Sequence, residues 1–251
     1  MSKIALITGG SRGLGKDMAL RLAQTKCDII ITYQSKLEEA NDVVSQIREM
    51  GQRATALKLD VGKVKIFDDF LSKLHSCLLQ EFQTDKLDFL INNAGIGATI
   101  PIAQVTEEDF DRLVNIHFKG VYFLTQKLLP HLNDGGRIIN ISSGTTRFAN
   151  PGYSVYASAK SVIETFTRYL AKEVGARGMT ANVLAPFGFS TLLMPGNPST
   201  ASASPGAIET DFNNATVRSN PQIKAMIASN TALGRVGQAE DIGGIVAFLC
   251  S

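Results

Sequence analysis

Short apolar runs alternate with longer helical patterns along most of this 251-residue chain. Six of the apolar runs predict strands, at residues 3–8, 28–33, 54–59, 87–92, 136–142 and 179–185. Helical patterns lie between them, near residues 13–25, 37–51, 64–83, 107–132 and 153–175. Strands that alternate with helices connect through right-handed crossovers and form a parallel sheet covered on both faces. The sequence therefore predicts one doubly wound α/β domain over residues 1–251.

The first predicted strand leads into a glycine-rich turn. Residues 3–8 are followed by Gly9, Gly10, Ser11, Arg12, Gly13, Leu14 and Gly15, after which a helical pattern begins. Glycine permits positive φ and lets a ligand approach the backbone, and the N-terminus of a helix offers free N–H groups to a phosphate. The turn is a candidate phosphate-binding site, and the plainer alternative is an ordinary connection between strand and helix.

A second phosphate-binding motif overlaps this turn. Residues 10–16 fit the first seven positions of G-x-x-x-x-G-K-[ST], the phosphate loop of nucleoside triphosphatases. The eighth residue is Asp17, where that motif needs a hydroxyl for magnesium and where a carboxylate would repel the phosphates. Dinucleotide binding is therefore the preferred hypothesis, and triphosphate binding is the weaker alternative.

Tyr156 and Lys160 are four residues apart in a predicted helix and so lie on the same face. A free tyrosine has a pKa of about 10, and a neighbouring ammonium group is expected to move that pKa toward the neutral range. Tyr153 has Ala157 at the corresponding position, so only Tyr156 is equipped in this way. The pair is a candidate proton donor, although surface Tyr–Lys pairs at this spacing are common.

Four polar residues lie at or just after the ends of predicted strands, namely Thr8, Asp60, Asn92 and Ser143. Ligands of parallel α/β sheets bind beyond the carboxyl ends of the strands. We therefore expect these residues at one rim of the sheet. Ser142, next to Ser143 in an extended chain, should point to the opposite side.

The ordered set of motifs resembles the short-chain dehydrogenase/reductase family, in particular single-domain members such as the 3-oxoacyl-carrier-protein reductases. The matching segments are residues 8–15, 59–61, 92–95, 115, 139–143, 156–160 and 205–210. The resemblance implies a Rossmann-type fold. It also implies an oxidoreductase that interconverts a small-molecule carbonyl and an alcohol by hydride transfer with a nicotinamide cofactor.

The resemblance further implies a role for each matching residue. Tyr156 would be the general acid/base, Ser143 would bind the substrate oxygen, and Lys160 would support Tyr156 and the nicotinamide ribose. Asn115 would hold a water molecule that relays protons to Lys160, although it could also be an exposed polar residue. The implied cofactor-binding residues are Gly9, Ser11, Arg12, Gly13, Leu14, Gly15, Tyr33, Ser35, Asp60, Val61, Asn92, Ala94, Gly95, Tyr156, Lys160, Pro186 and Gly206.

The residues after the second predicted strand bear on the choice of cofactor. An acidic side chain there would bind the ribose hydroxyls of NAD(H) and repel a 2′-phosphate. This chain instead has Tyr33, Gln34, Ser35 and Lys36, and Arg12 lies in the glycine-rich turn. Arginine suits phosphate recognition, so NADP(H) is expected in preference to NAD(H), which stays open. The plainer interpretation is that Arg12 and Lys36 are solvated charges.

Two departures from the family pattern lie near the C-terminal end. Pro186 is followed by Phe187, and the expected Gly-Ala-Ile-Glu-Thr resumes only at Gly206. Residues 187–205 are therefore expected to be an inserted loop, either an apolar lid or a disordered segment that weakens cofactor binding. An alternative alignment takes residues 186–191 as the nicotinamide loop. The chain also stops at Ser251, before the last strand of the family, so an open sheet edge is expected.

These departures motivate a second functional hypothesis, a dinucleotide-binding protein with little or no catalysis. In the family, the helices predicted near residues 107–132 and 153–175 form a dimer contact. Here they carry Leu128, Leu129, Val162, Phe166, Tyr169 and Leu170. A homodimer or homotetramer is expected, with ordinary burial against the sheet as the alternative.

Composition narrows the remaining classes. A net charge of +2 with 19% charged residues indicates neither a nucleic-acid partner nor a disordered acidic tail. Apolar runs stay shorter than the roughly 18 to 20 residues of a membrane span, and the chain begins directly with a strand. Its three cysteines are far apart, which indicates a reducing compartment. The sequence predicts a cytoplasmic enzyme without metal or membrane contact, and it does not identify the substrate.

Overall fold

The computed structural model describes residues 2–147, 149–186, 208–210, 212–229 and 234–251. Its strands are β1 (Ile4–Ile7), β2 (Asp28–Tyr33), β3 (Ala54–Lys58), β4 (Leu87–Asn92), β5 (Leu132–Ile141) and β6 (Thr180–Leu184). All neighbouring strands pair in parallel, in the order β3-β2-β1-β4-β5-β6. The predicted doubly wound Rossmann-type sheet is confirmed, with each predicted strand at its expected place.

Helices connect the strands and cover both faces of the sheet. They are α1 (Gly13–Gln24), α2 (Leu37–Glu49), α3 (Phe67–Cys77), α4 (Glu107–Val114), α5 (Gly120–Leu128), α6 (Ser154–Val174), α7 (Phe212–Ser219), α8 (Pro221–Ser229) and α9 (Glu240–Leu249). Single π-helical turns follow α3 and α4, at Leu78–Phe82 and Asn115–Lys119. The helix predicted over residues 107–132 is thus interrupted, which matters for the site.

The alternation of side chains along each strand divides the core into two parts. Ala5 and Ile7 of β1 pack on one face with residues of α1, α2 and α9. Ile4 and Leu6 pack on the other face with residues of α3, α5 and α6. Successive side chains of a strand point to opposite faces, and all four of these residues are buried. A strand buried on both faces reads as a continuous apolar run, which is why the sheet could be predicted.

The C-terminal part of the chain answers only some of the expectations. Within the described residues β6 pairs with β5 alone and forms one edge of the sheet. The expected inserted loop, residues 187–205, lies outside the described residues. On α6, Leu170 packs in the core, whereas Val162 and Tyr169 are 41% and 68% exposed. Self-association stays a prediction.

No described helix has both the length and the apolar character needed to cross a membrane.

Asp17 is a buried carboxylate between α1 and α9. Nε of Arg21 lies 3.7 Å from its Oδ1, and its Oδ2 has no hydrogen-bond partner within the described part of the chain. Gly243 packs against it so closely that a Cβ atom there would lie 2.0 Å from Oδ2. Burial raises the pKa of Asp17, and Arg21 offsets this only in part.

Replacing Asp17 with asparagine should therefore stabilise the protein at neutral pH. A raised carboxyl pKa means that the folded state is favoured when Asp17 is protonated and loses stability as pH rises through that pKa. The Asp17→Asn variant should gain about 1 kcal/mol in unfolding free energy near pH 7. The gain should shrink toward pH 4, and urea unfolding at both pH values measures it. Asp42→Asn, at an exposed position of α2, is the control, and a lower stability of Asp17→Asn at pH 7 would contradict the interpretation.

Candidate active site

Ser143, Tyr156 and Lys160 meet at the carboxyl edge of the sheet. Ser143 lies two residues beyond β5, and the other two lie on α6. The Ser143 side chain is near enough to the Tyr156 hydroxyl to lower the Tyr156 pKa, and Nζ of Lys160 lies 5.9 Å from the centroid of the Tyr156 ring. Tyr156 and Lys160 are only 6% and 5% exposed. The alternative of a solvated surface Tyr–Lys pair is therefore wrong.

The turn after β5 fixes the direction of the Ser143 hydroxyl. The Thr145 hydroxyl donates to the Ser143 oxygen at 3.0 Å, and the Thr145 backbone N–H donates at 3.3 Å. The Ser143 proton is thereby left to donate toward Tyr156. Ser142 points the other way, as expected from the extended chain, and its hydroxyl donates to Glu164 at 2.8 Å.

Burial sets the protonation of the two residues on α6. It raises the pKa of Tyr156 to about 12, and the Ser143 hydrogen bond lowers that pKa only in part. It lowers the pKa of Lys160 to about 8. The expectation that Lys160 brings the Tyr156 pKa toward neutrality is wrong for this structure, because removing the phenolate from water outweighs the stabilising contacts. Tyr156 is protonated at neutral pH, which is the form that donates a proton.

Lys160 is held by the strand that precedes Ser143. Its Nζ donates to the carbonyl oxygen of Ile141 at 2.7 Å. An ammonium group has three donors, so this bond leaves two of them for other partners. The side chain is thus oriented toward Tyr156 without being fully engaged by the protein.

The glycine-rich turn lies where the strand order reverses, between β1 and β4. Nδ2 of Asn93 donates to the carbonyl oxygens of Thr8 and Gly9 at 2.9 and 3.1 Å. The backbone N–H groups of Asn93 and Ala94 both donate to the Thr8 hydroxyl at 2.9 Å. A Cβ atom at Gly15 would lie 2.1 Å from the Gly9 carbonyl oxygen. These contacts join the two loops, and a crevice at such a reversal point is the usual ligand site of open α/β sheets.

The side chain of Asn92 points away from the glycine-rich turn that the Asn93 side chain contacts. It is buried and donates to Thr125 at 3.0 Å and to Asn140 at 2.8 Å. Asn140 in turn donates to Thr167 at 2.9 Å. The Asn92 side chain therefore links β4, β5, α5 and α6, and its backbone is the part left to line the crevice. The resemblance implied that residues 92–95 line the cofactor crevice, with turn formation as the alternative for Asn92 and Asn93, and the structure shows that the Asn93 side chain organises the glycine-rich turn.

The residues expected near the adenosine end lie at the ends of β2 and β3. Asp60 accepts from the Gly62 N–H at 3.0 Å and has Lys63 at 3.4 Å. Ser35 and Arg12 are exposed, whereas Ser11, Leu14, Tyr33 and Val61 are partly buried. Lys36 lies 3.5 Å from Glu39. Arg12, just before α1, is therefore the better candidate for contact with a phosphate.

The segment that begins at Ile208 returns to the glycine-rich turn. Ile208 pairs with Gly237, and Thr210 is buried with its side chain 3.6 Å from where a Cβ at Gly13 would lie. Pro186 lies near Ser143, because its carbonyl oxygen accepts from the Gly144 N–H at 3.0 Å. The contact of Thr210 favours the alignment that resumes at Gly206, which itself lies outside the described residues.

Asn115 and His117 occupy the π-helical turn between α4 and α5. Asn115 is partly buried, and within the described residues its side chain makes no hydrogen bond. His117 is fully buried and contacts Tyr156, with ring centroids 5.0 Å apart. His117 lacks a ligand-spaced partner in the sequence, so its place in the site could not be predicted. No cluster of three or more His, Cys, Asp or Glu side chains among the described residues could hold a metal ion.

A cavity of about 680 Å³ lies beside Tyr156. Tyr153 and Ala157, which flank Tyr156 on α6, contribute to its wall, as does Thr145, which contacts Ser143. Its apolar lining includes Pro101, Ile102, Ala149 and Pro151. The volume is typical of sites for small organic ligands.

Comparison with known proteins identifies the family. The model of the short chain dehydrogenase family matches residues 3–202. The chain is 35% identical over 250 residues to the hydroxynaphthalene reductase-like protein Arp2 of Metarhizium brunneum, covering 98% of this chain and 87% of that protein. It is 32% identical over 249 residues to the hydroxynaphthalene reductase arp2 of Aspergillus fumigatus, covering 99% and 86%.

Solved structures agree with this relationship. The angucycline C-6 ketoreductase LanV with bound NADP superposes with a TM-score of 0.87 at 30% identity, covering 99% of this chain and 88% of that chain. The reductase LugOII of lugdunomycin biosynthesis gives a TM-score of 0.86 at 31% identity, with 99% and 90% covered. The chain belongs to the short-chain dehydrogenase/reductase family, as its motifs predicted, and is an oxidoreductase of that family.

Proposed function

We propose that this protein is an NADP(H)-dependent carbonyl reductase with Tyr156 as its general acid. The observation that carries the proposal is the meeting of Ser143, a buried and protonated Tyr156, and Lys160 beside the Tyr156 ring at the carboxyl edge of the sheet. In reduction, Tyr156 gives its proton to the carbonyl oxygen while Ser143 donates a hydrogen bond to the same atom. When bound, NADPH supplies the hydride that the carbonyl carbon receives. Alcohol oxidation is the reverse process, with Tyr156 as base.

The glycine-rich turn fits the pyrophosphate of a dinucleotide. Gly9 and Gly13 adopt positive φ values of 66° and 54°, and side chains at Gly9 or Gly15 would collide with neighbouring loops. α1 begins at Gly13, so its first N–H groups face the turn. Backbone donors beside a surface without side chains are what a phosphate requires.

The surroundings of Arg12 favour NADP(H) over NAD(H). β2 ends at Tyr33, and Lys36 is engaged with Glu39, so Arg12 is the exposed cation nearest the turn with a guanidinium suited to a 2′-phosphate. LanV was solved with bound NADP, and so was a short chain dehydrogenase of Burkholderia cenocepacia. These relatives support the same preference in this chain.

The cavity beside Tyr156 supports a cyclic, largely apolar ketone as substrate. Pro101, Ile102 and Pro151 offer rigid apolar surface, and Tyr153 adds an aromatic ring. Relatives named for hydroxynaphthalene and angucycline substrates point to the same chemical class.

A cofactor titration followed by a carbonyl screen tests the proposal. Fluorescence titration should give a dissociation constant for NADPH at least about tenfold below that for NADH. Only NADPH carries a 2′-phosphate, which can lie near Arg12. NADPH oxidation should then follow the addition of bicyclic aromatic ketones, with quinones and acyl thioesters as the comparison sets. NADPH binding without turnover across the panel would support the binding-protein alternative. Magnesium-dependent ATP binding without NADPH binding would support the triphosphatase alternative.

A further inference from the structure

His117 packs tightly beside Tyr156, the proposed general acid. Its ring stands edge-on to Tyr156, with centroids 5.0 Å apart and planes at 86°. Gly95, in the loop after β4, packs against it so tightly that a Cβ there would lie 2.8 Å from Cε1 of His117. The side chain is fully buried. Its position is therefore fixed by the π-helical turn, by α6 and by the crevice loop together.

The hydrogen bonds of His117 define which ring nitrogen carries the proton. Nε2 lies 2.8 Å from the carbonyl oxygen of Ile96. A carbonyl only accepts, so Nε2 donates, and Nδ1 is left as an acceptor. The Ile96 N–H lies 3.4 Å from the same Nε2 atom, which is too long to compete. Nδ1 is buried and without a hydrogen-bond partner among the described residues.

The electrostatic surroundings keep this acceptor neutral. Burial lowers the pKa of His117 well below its usual range, and the positive charge of Lys160 lowers it further. Lys160 and His117 both lie beside the Tyr156 ring, with Nζ of Lys160 5.9 Å and the His117 ring centroid 5.0 Å from the Tyr156 centroid. The Lys160 ammonium has donors beyond the one given to Ile141. A neutral buried acceptor and an ammonium with unused donors thus lie on the same side of the site.

Each turnover in the direction of reduction consumes the proton of Tyr156. The O–H bond of Tyr156 breaks, the O–H bond of the product alcohol forms, and the phenolate must regain a proton that ultimately comes from solvent. Tyr156 is almost fully buried, so solvent reaches it through neighbouring groups. His117 contacts Tyr156 and is one of these neighbouring groups.

We propose that His117 is a positioning residue for proton delivery, its Nδ1 accepting a hydrogen bond from one water molecule that also contacts Lys160. In this arrangement Lys160 returns a proton to Tyr156 and takes a proton from that water, which regains one from solvent, while Nδ1 stays an acceptor and holds the water in place. His117 thus takes the part that the family resemblance assigns to Asn115. The inference rests on the proposed role of Tyr156 as the acid.

Two substitutions separate the hydrogen bond from the packing of the ring. His117→Asn keeps an acceptor oxygen near the Nδ1 position, and His117→Leu keeps apolar volume without an acceptor. Lys119→Ala, at an exposed position of the same turn, is the matched control, and Asn115→Ala tests the residue that the family resemblance implies. We expect His117→Leu to lower steady-state kcat by about tenfold or more, His117→Asn to stay within about threefold of wild type, and Lys119→Ala within about twofold.

A comparison of single and multiple turnovers distinguishes proton return from structural damage. His117→Leu should oxidise the first equivalent of NADPH at a rate near that of wild type, because Tyr156 starts protonated, and should then slow. Its solvent deuterium isotope effect on kcat should rise. An equal loss in single turnover for His117→Leu and His117→Asn would overturn the proposal, and so would wild-type kcat in His117→Leu. A loss in Asn115→Ala alone would also overturn it.

An NMR measurement on the wild-type protein tests the protonation and hydrogen bonding of the His117 ring without relying on turnover. The chain has three histidines, so nitrogen-15 labelling of histidine gives an assignable NMR spectrum, with His117→Asn identifying the His117 signals. We expect a neutral ring at about pH 7, protonated on Nε2, with an Nδ1 shift typical of a hydrogen-bonded acceptor. A protonated ring, the Nδ1–H tautomer, or an Nδ1 shift typical of an unbonded nitrogen would overturn the proposal. A failure of the carbonyl screen would leave this result unaffected.

Discussion

Replacement of Tyr156 by phenylalanine should lower kcat by about 10²- to 10⁴-fold, the range expected when a positioned acid is removed. The ring and its packing against His117 are retained, since the phenyl group keeps the same shape. The lost atom is the hydroxyl oxygen that faces Ser143 and carries the proton, so the effect should fall on proton transfer rather than on cofactor binding. Steady-state kinetics on any accepted ketone, combined with an NADPH titration, measures the two effects separately.

Tyr169→Phe is the control for this substitution. Tyr169 lies on the same helix, α6, but is 68% exposed, so its hydroxyl should be dispensable. If Tyr156→Phe kept more than about a tenth of wild-type kcat, Tyr156 would not be the acid.

Replacement of Gly15 by alanine should disrupt the glycine-rich turn. The new Cβ would lie 2.1 Å from the Gly9 carbonyl oxygen and 2.6 Å from Nδ2 of Asn93. Both atoms belong to the hydrogen bond that joins the loops after β1 and β4, so the turn must open. We expect a loss of about 2 to 3 kcal/mol in unfolding free energy. The dissociation constant for NADPH should rise by about 100-fold.

Gly244→Ala is the matched control for Gly15→Ala. Gly244 lies within α9, and a Cβ there would have no other heavy atom within 4 Å. Because alanine favours a helix over glycine by about 1 kcal/mol, this variant should be neutral or more stable. Urea unfolding and NADPH titration of folded protein measure both effects. Wild-type NADPH affinity in Gly15→Ala would contradict the assignment of this turn to the cofactor.

The sheet could be predicted because strands that are buried on both faces have nearly continuous apolar sequences. Residues 3–8 and 87–92 are apolar throughout most of their length, and the strands they form are fully buried. The carboxyl ends of parallel strands lie at the same rim, so the order of motifs also predicted that Ser143 would lie near the cofactor crevice.

The break between α4 and α5 could not be predicted in the same way. Apolar spacing continues on both sides of Asn115–Lys119, and Gly120 directly after this segment does not by itself distinguish a π-helical turn from a continuous α-helix. His117 is buried because Gly95, Ile96 and Tyr156 surround it. These residues come from distant parts of the chain, so their meeting is a property of the tertiary structure.

The direction of the Tyr156 pKa shift could not be predicted from the sequence either. The spacing of Tyr156 and Lys160 predicted their shared face, and charge proximity suggested a lowered pKa. Burial of both groups reverses the direction for Tyr156, because desolvation acts on each side chain separately from the attraction between them.

Hydride transfer from NADPH to a carbonyl carbon is the central claim, and deuterium labelling tests it most directly. Wild-type protein would be incubated with NADPH deuterated at one of the two positions on C4 of the nicotinamide, together with a bicyclic aromatic ketone from the screen. The account predicts a product alcohol with deuterium on its carbinol carbon from one of the two labelled cofactors and not from the other. Bound NADPH that transfers no label to any carbonyl, under conditions where the protein is folded, would contradict it.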